Sequence, residues 1–285
     1  MKAPDITVVK ENGEREKFRP SKVHHALRRS GLSPSESKTA LKRLYPQLKD
    51  GISTHSIYSK LYAIIRKMRP EKSHKYNLKR ALLQLGPAGY DFEDFTARLM
   101  QSLGYDIEVR QLPVGKCITH EVDVIARKGK EKAMVECKFR NRPGDKCRSK
   151  TALYIYARFL DLRDGAKLHS KRPFTRPMLV TNAKFSTDVI KYANCMGMRL
   201  LGWRYPLKKS LEVLIDQSKC YPVSVIRMNK KTLSTLFNLG FVSVLDLPKD
   251  PKELSESTGL SLSTAKRIVK RSEERRVGKE CVSEC

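Results

Sequence analysis

Two carboxylates and a lysine in one short stretch have the types and spacing for phosphodiester chemistry. Asp123 lies in the β-branched run Glu121–Ala126, and Val135-Glu136-Cys137-Lys138-Phe139 reads as a second strand after a turn at Gly129. Side chains alternate along a strand, so Glu136 and Lys138 are expected on one side, with Val135, Cys137 and Phe139 turned into the core. A hairpin pairing the two runs brings Asp123 beside that polar pair. Two carboxylates with an oxygen-lined gap suit Mg²⁺ (or Mn²⁺), which takes hard oxygen ligands and keeps several waters. Such an ion lowers the pKa of bound water and offsets charge on a scissile phosphate, with Lys138 placed to orient the water or help deprotonate it. The competing reading of Glu-x-Lys is a solvent-exposed ion pair of small energetic value.

The elements that must position this set follow an α/β order. A helix is expected over Phe92–Leu103, ended by Gly104, and strands at Ile107–Gln111, Glu121–Ala126 and Ala133–Phe139. A helix over Thr151–Leu162, a strand at Met178–Thr181, a helix over Thr187–Cys195 and a short strand at Met198–Gly202 complete a mixed sheet. Before this block, Ile6–Lys10 and Glu16–Phe18 flank Asn12-Gly13, a hairpin turn signal. Four helices are expected next: from Pro20, over Ser35–Leu48, from Ser53 or Thr54 to before Pro70, and over Tyr76–Leu85. Gly86-Pro87-Ala88-Gly89 marks a boundary. After residue 218 the pattern is helical again. The organisation expected is residues 1–86, 87–218 and 219–270.

Charge narrows the partners. The chain of 285 residues carries 58 Lys+Arg against 30 Asp+Glu, a formal net charge of +28, with the surplus spread along its length. A folded protein this basic favours polyanions, so nucleic acid and nucleotides are the expected partners. Hydrophobic residues at 40% provide for a folded core. No run approaches the roughly 20 apolar residues of a membrane span, and MKAPDITVVKENG has no apolar signal core. No membrane partner and a cytoplasmic location are the expectations. None of the seven cysteines forms a CxxC pair, and they read as reduced thiols. There is no GxxxxGK[ST] loop, which excludes a P-loop ATPase.

The ordered set Asp123, Glu136, Lys138 resembles the PD-(D/E)xK nuclease core, in its Mrr-like restriction endonuclease branch. The resemblance spans roughly residues 89–206 and includes Gly89-Tyr90-Asp91-Phe92-Glu93-Asp94-Phe95, Leu103-Gly104-Tyr105 and His120-Glu121-Val122-Asp123. It implies a metal-dependent DNA endonuclease acting on double-stranded DNA, with Asp123 and Glu136 on the metal, Lys138 on the water and Glu93 as an assisting helix carboxylate. Arg140 stands where relatives often carry a His, and Cys147-Arg148-Ser149-Lys150 departs from a more acidic form. Arg140, Arg142 and Lys150 are candidates for DNA phosphates, and a homodimer is an expected assembly.

Residues 5–86 resemble an ATP-cone, the nucleotide-binding regulatory module of ribonucleotide reductases. Val8-Val9-Lys10-Glu11-Asn12-Gly13, Glu16-Lys17-Phe18 and Lys22-Val23 carry the likeness. It implies ATP or dATP as a bound effector contacted by Lys10, Glu16, Lys22, Thr54 and Arg80. The lysines would pair with phosphates, and Glu16 would meet sugar hydroxyls or base. Thr258-Gly259-Leu260-Ser261 with Ala265-Lys266-Arg267 resembles a helix-hairpin-helix, which grips DNA phosphates through backbone N–H groups.

One back-translation of Arg271–Cys281, RSEERRVGKEC, resembles a common short-read sequencing adapter. Residues 271–285 are therefore expected to be an assembly artefact, which takes Cys281 and Cys285 out of any chemistry. The composite expectation is an α/β protein: a small strand pair plus helical ATP-cone, a PD-(D/E)xK mixed-sheet core and a small helical C-terminal segment. It would cut DNA under ATP or dATP control. The alternative is a catalytically inactive, ATP-responsive DNA-binding regulator.

Overall fold

Asn12 and Gly13 reverse the chain at its first hairpin, with Gly13 at a φ of 83°, a region that glycine enters without a Cβ clash. In the computed structural model, which describes residues 3–86, 89–142 and 144–276, β1 (Thr7–Val9) pairs antiparallel with β2 (Arg15–Lys17), Val8 opposite Glu16. The two-residue β3 (Ile52–Ser53), too short to leave a periodic signal, joins β1 in parallel through Val9 and Ser53. Four helices follow the expected order: α1 (Pro20–Arg29), α2 (Pro34–Leu44), α3 (Thr54–Met68) and α4 (Ser73–Leu82). Ser33 and Glu36 form a capping box at the start of α2. That helix stops at Leu44, short of the expected Leu48, and passes into a 3-10 turn over Tyr45–Gln47. Pro46 is the reason: it has no N–H with which to continue the α-helical ladder. Val8, Leu27, Leu44, Leu61 and Ile65 form the core.

The chain divides into two compact units, Met1–Leu78 and Lys79–Cys285, within α4. The boundary expected at Gly86-Pro87-Ala88-Gly89 includes Pro87 and Ala88, which lie outside the described residues.

The second unit is a mixed α/β structure around a five-stranded sheet of order β10-β8-β6-β5-β4. Its strands are β4 (Asp106–Gln111), β5 (Val122–Lys128), β6 (Glu131–Cys137), β8 (Arg176–Val180) and β10 (Arg199–Leu201). β4, β5 and β6 run antiparallel, and β6, β8 and β10 run parallel. A small pair, β7 (Lys146–Cys147) with β9 (Lys184–Phe185), lies outside this sheet. α5 (Tyr90–Ser102) packs on β4 to β6, while α6 (Ser149–Leu168) and α7 (Thr187–Cys195) pack on β8 and β10. Ile125, Met134, Leu179 and Leu200 share a core with Ile155, Phe159 and Leu162 of α6.

α8 (Leu211–Ser218) lies within the expected nuclease segment but was not expected as a helix, although Ser210 and Glu212 are start signals. α9 (Lys230–Asn238), α10 (Pro251–Thr258) and α11 (Leu262–Arg276) follow, and Gly259, at a φ of 68°, turns the chain between the last two. α11 runs over the first residues of the adapter-like stretch; residues 277–285, with Cys281 and Cys285, lie outside the described residues. Among the described residues no helix is long and apolar enough to cross a membrane. Cys117 and Cys195 are exposed free thiols, and Cys137, Cys147 and Cys220 are buried ones.

Candidate active site

The antiparallel register of β5 and β6 brings Asp123 and Glu136 to one end of the sheet, one step beyond the Val124–Val135 pair. Asp123 Oδ2 accepts from the Cys137 backbone N–H at 2.7 Å, which fixes the carboxylate against the neighbouring strand. Lys138 Nζ donates to Glu136 Oε1 at 2.6 Å. The three residues singled out in the sequence are therefore brought together.

Their setting differs from the expected polar strand face. Glu136 is buried, its side chain 4% exposed, because α6 covers its side of the sheet. Arg158 of α6 donates from Nη1 to Glu136 Oε2 at 2.6 Å, and from Nη2 to the Glu121 carbonyl. The surface ion pair weighed for Glu-x-Lys is excluded by this burial. Arg158 lies on the same helical stripe as Ile155, Phe159 and Leu162. A charged residue on an apolar stripe was the signal available for it.

A second missed pair holds the strand's exit. Thr181 Oγ1 donates to the Lys138 carbonyl at 2.6 Å, and the Lys138 N–H donates to the Val180 carbonyl at 2.8 Å. Asn182 closes a two-way clamp on the Arg140 backbone, accepting at 2.8 Å and donating at 2.9 Å. Lys138 thus leaves the sheet along a fixed path.

Electrostatics at this end are crowded. Burial and then the Glu136 carboxylate push Asp123 up to about 6. Burial and then Asp123 push Glu93, on α5, up to about 7, against Arg110, whose Nη1 stands 3.8 Å from Glu93 Oε2. Burial opposes the Lys138 ammonium, but Glu136 outweighs it and holds that pKa above the usual lysine value. Among the described residues, no group of three or more His, Cys, Asp or Glu is arranged to hold a metal ion. The donor set that fits a divalent cation is the Asp123–Glu136 pair. Hard oxygen donors suit Mg²⁺, with waters completing its shell.

The DNA-facing candidates fall in two neighbouring recesses that share Arg140. Lys150 lines a wide one with Lys146 and Arg148; Arg142 lines a small one with Lys184.

In the first unit, the hairpin and α1 bring Lys10, Glu16 and Lys22 together. Lys22 Nζ donates to the two Glu16 oxygens at 3.0 and 2.8 Å, and Lys10 Nζ stands 3.3 Å from Glu16 Oε2 and 3.1 Å from Glu14 Oε2. The hydrogen bond from Lys22 lowers the Glu16 pKa. Thr54 opens α3 directly after β3, so Lys10 and Thr54 follow the paired residues Val9 and Ser53. Arg80 belongs to the second unit and is not among the residues the first unit gathers.

This fold and site define the class. Residues 87–202 match the Mrr_cat family of restriction endonucleases, so the chain carries a domain of that family. An uncharacterized protein of Archaeoglobus fulgidus is 37% identical over 173 residues, which cover 61% of this chain and 95% of that protein. The crystal structure of AF1548, a protein of unknown function, is similar at a TM-score of 0.54 and 35% identity, covering 65% of this chain and 96% of that one.

Proposed function

We propose that the chain is a metal-dependent DNA endonuclease whose activity responds to bound ATP or dATP. The observation that carries the nuclease reading is the meeting of Asp123, Glu136 and Lys138 at one sheet end within a restriction endonuclease domain. Asp123 and Glu136 would hold Mg²⁺ or Mn²⁺. The ion, when bound, supplies an acidified water and a counter-charge for the phosphate. Lys138, with its raised pKa, stays protonated near neutral pH. Its part is then to orient the attacking water and balance charge on the phosphate, not to act as the base. Arg158 and Thr181 hold Glu136 and Lys138 in position, and Glu93 adds a carboxylate beside Asp123. Arg140, Arg142 and Lys150 bind backbone phosphates of double-stranded DNA.

For the first unit, the resemblance to an ATP-cone and the grouping of Lys10, Glu16 and Lys22 support an effector site. Lys10 and Lys22 would exchange carboxylate for phosphate oxygens, with Thr54 at the start of α3 beside them.

The test is cleavage of supercoiled plasmid with Mg²⁺, Mn²⁺ or EDTA, with and without ATP and dATP. Cutting that needs metal and is lost in Asp123→Asn establishes the nuclease. A nucleotide effect lost in Lys22→Gln assigns the first unit. One observation favours the second reading, a regulator without turnover: both Glu136 oxygens are already bonded to cations. Salt-sensitive DNA binding with no cutting under any metal would select it.

A further inference from the structure

The small recess beside the strand exit is lined by four cationic side chains and one carboxylate. It measures about 100 Å³ and is lined by Lys79, Arg140, Arg142, Asp145, Lys184 and Trp203. Among the described residues none of the four cationic side chains makes an ion pair, with Asp145 or with any other carboxylate. Burial, then Arg204 and Lys184, hold the Lys79 pKa below the usual lysine value, and Glu212 is the carboxylate that opposes them. Glu212 is itself bonded to Arg204 at 3.2 Å.

A second observation points the same way. Trp203 is 3% exposed, and its indole Nε1 is buried with no hydrogen-bond acceptor among the described residues. A buried N–H without an acceptor is costly, and Trp203 is part of the recess wall. The walls are preset. Asn182 clamps the Arg140 backbone, and the Trp203 backbone N–H donates to the Ala183 carbonyl at 3.1 Å, next to Lys184. So little exposed indole leaves no face on which a base could stack.

We infer that this recess is a phosphate-binding site, in which Lys79, Arg142 and Lys184 neutralise one phosphate group. The phosphate comes either from a DNA backbone, in which case the inference rests on the nuclease reading, or from a free nucleotide.

Trp203 is the single tryptophan of the chain, so its emission reports on this recess alone. The full-length protein in EDTA is titrated with inorganic phosphate, a short duplex without terminal phosphates, and ATP. Saturable change with phosphate is expected, weakened at least tenfold in Lys184→Gln and more in Lys79→Gln/Lys184→Gln, while Lys130→Gln titrates as the parent protein does. Lys184 is exposed, so its single variant provides the test if the double variant does not fold. A response to duplex that phosphate competes away assigns the site to the DNA backbone; a response to ATP without one to duplex assigns it to a nucleotide. Silence toward all three ligands, or a response unmoved by the lysine substitutions, overturns the inference. Plasmid cutting with a silent Trp203 overturns this site and leaves the nuclease standing. A phosphate response without cutting supports the site and fails the nuclease.

Discussion

The chain contains two clusters of lysine and carboxylate side chains at strand ends, and they differ in burial. In the first unit Glu16 meets Lys10 and Lys22 in the open, with the Lys22 side chain 54% exposed and Glu16 29%. In the second unit Glu136 meets Lys138 and Arg158 with side-chain exposures of 4% for Glu136 and 9% for Arg158. The residue types are nearly the same, and the consequences are opposite. Water screens the first cluster, so its pairs are weak and exchange readily for phosphate oxygens. The second is held in a medium where each charge depends on its partner. The acids show it directly: Glu16 is pulled below its usual pKa by Lys22, whereas Asp123 is pushed to about 6 and Glu93 to about 7, chiefly by burial. One cluster is suited to exchanging partners, and the other to presenting a preset field to a reaction.

This contrast breaks first at Arg158. Arg158→Met leaves Glu136 buried with Lys138 alone, and urea unfolding is expected to show a loss of about 3–5 kcal/mol. A loss under 1 kcal/mol would place the two clusters in one class. Lys138→Met should lower kcat by roughly 10²–10³-fold, as for removal of a preorganised charge, with Lys138→Arg recovering part of it. An unchanged kcat at saturating metal would remove Lys138 from the reaction.

The pH dependence sharpens the comparison further. Asp123 and Glu93 have folded pKa values above their unfolded ones near 4. Their stability contribution is therefore present below about pH 4 and lost as pH rises through about 6 and 7. Metal-free protein should lose on the order of 2 kcal/mol more between pH 5 and pH 8 than Glu93→Gln does. Parallel pH profiles of the two proteins in EDTA would contradict the crowding. The smallest effect is expected at Lys22→Met, no more than about 1 kcal/mol in thermal or urea unfolding, while ATP binding by calorimetry should weaken clearly.

Much of the second unit was legible because its signals are local. Alternation in Glu121–Ala126 and Val135–Phe139, with a turn at Gly129, is enough to pair Asp123 with Glu136, and the observed register does so. Helix boundaries near α5 and α7 followed from Gly104 and Gly197 in the same way. What escaped was made of short or distant pieces. β3 and the β7–β9 pair have two residues per strand, below any period. Arg158, Thr181 and Asn182 act on residues some 20 to 40 positions earlier in the chain, through contacts that exist only once α6 and β8 have packed.

The amino-acid order by itself determined which side chains could meet: the period of a strand put Glu136 and Lys138 together, and a glycine turn returned Asp123 to them. Tertiary structure decided what they become. By laying α6 over β6 it withdrew Glu136 from water and supplied Arg158 as its counter-charge. It also raised the pKa of Asp123 and Glu93 and left the Trp203 indole Nε1 without an acceptor among the described residues. The reason is that spacing along a chain is a covalent property, whereas desolvation depends on what covers a group, and the cover comes from residues far away in sequence.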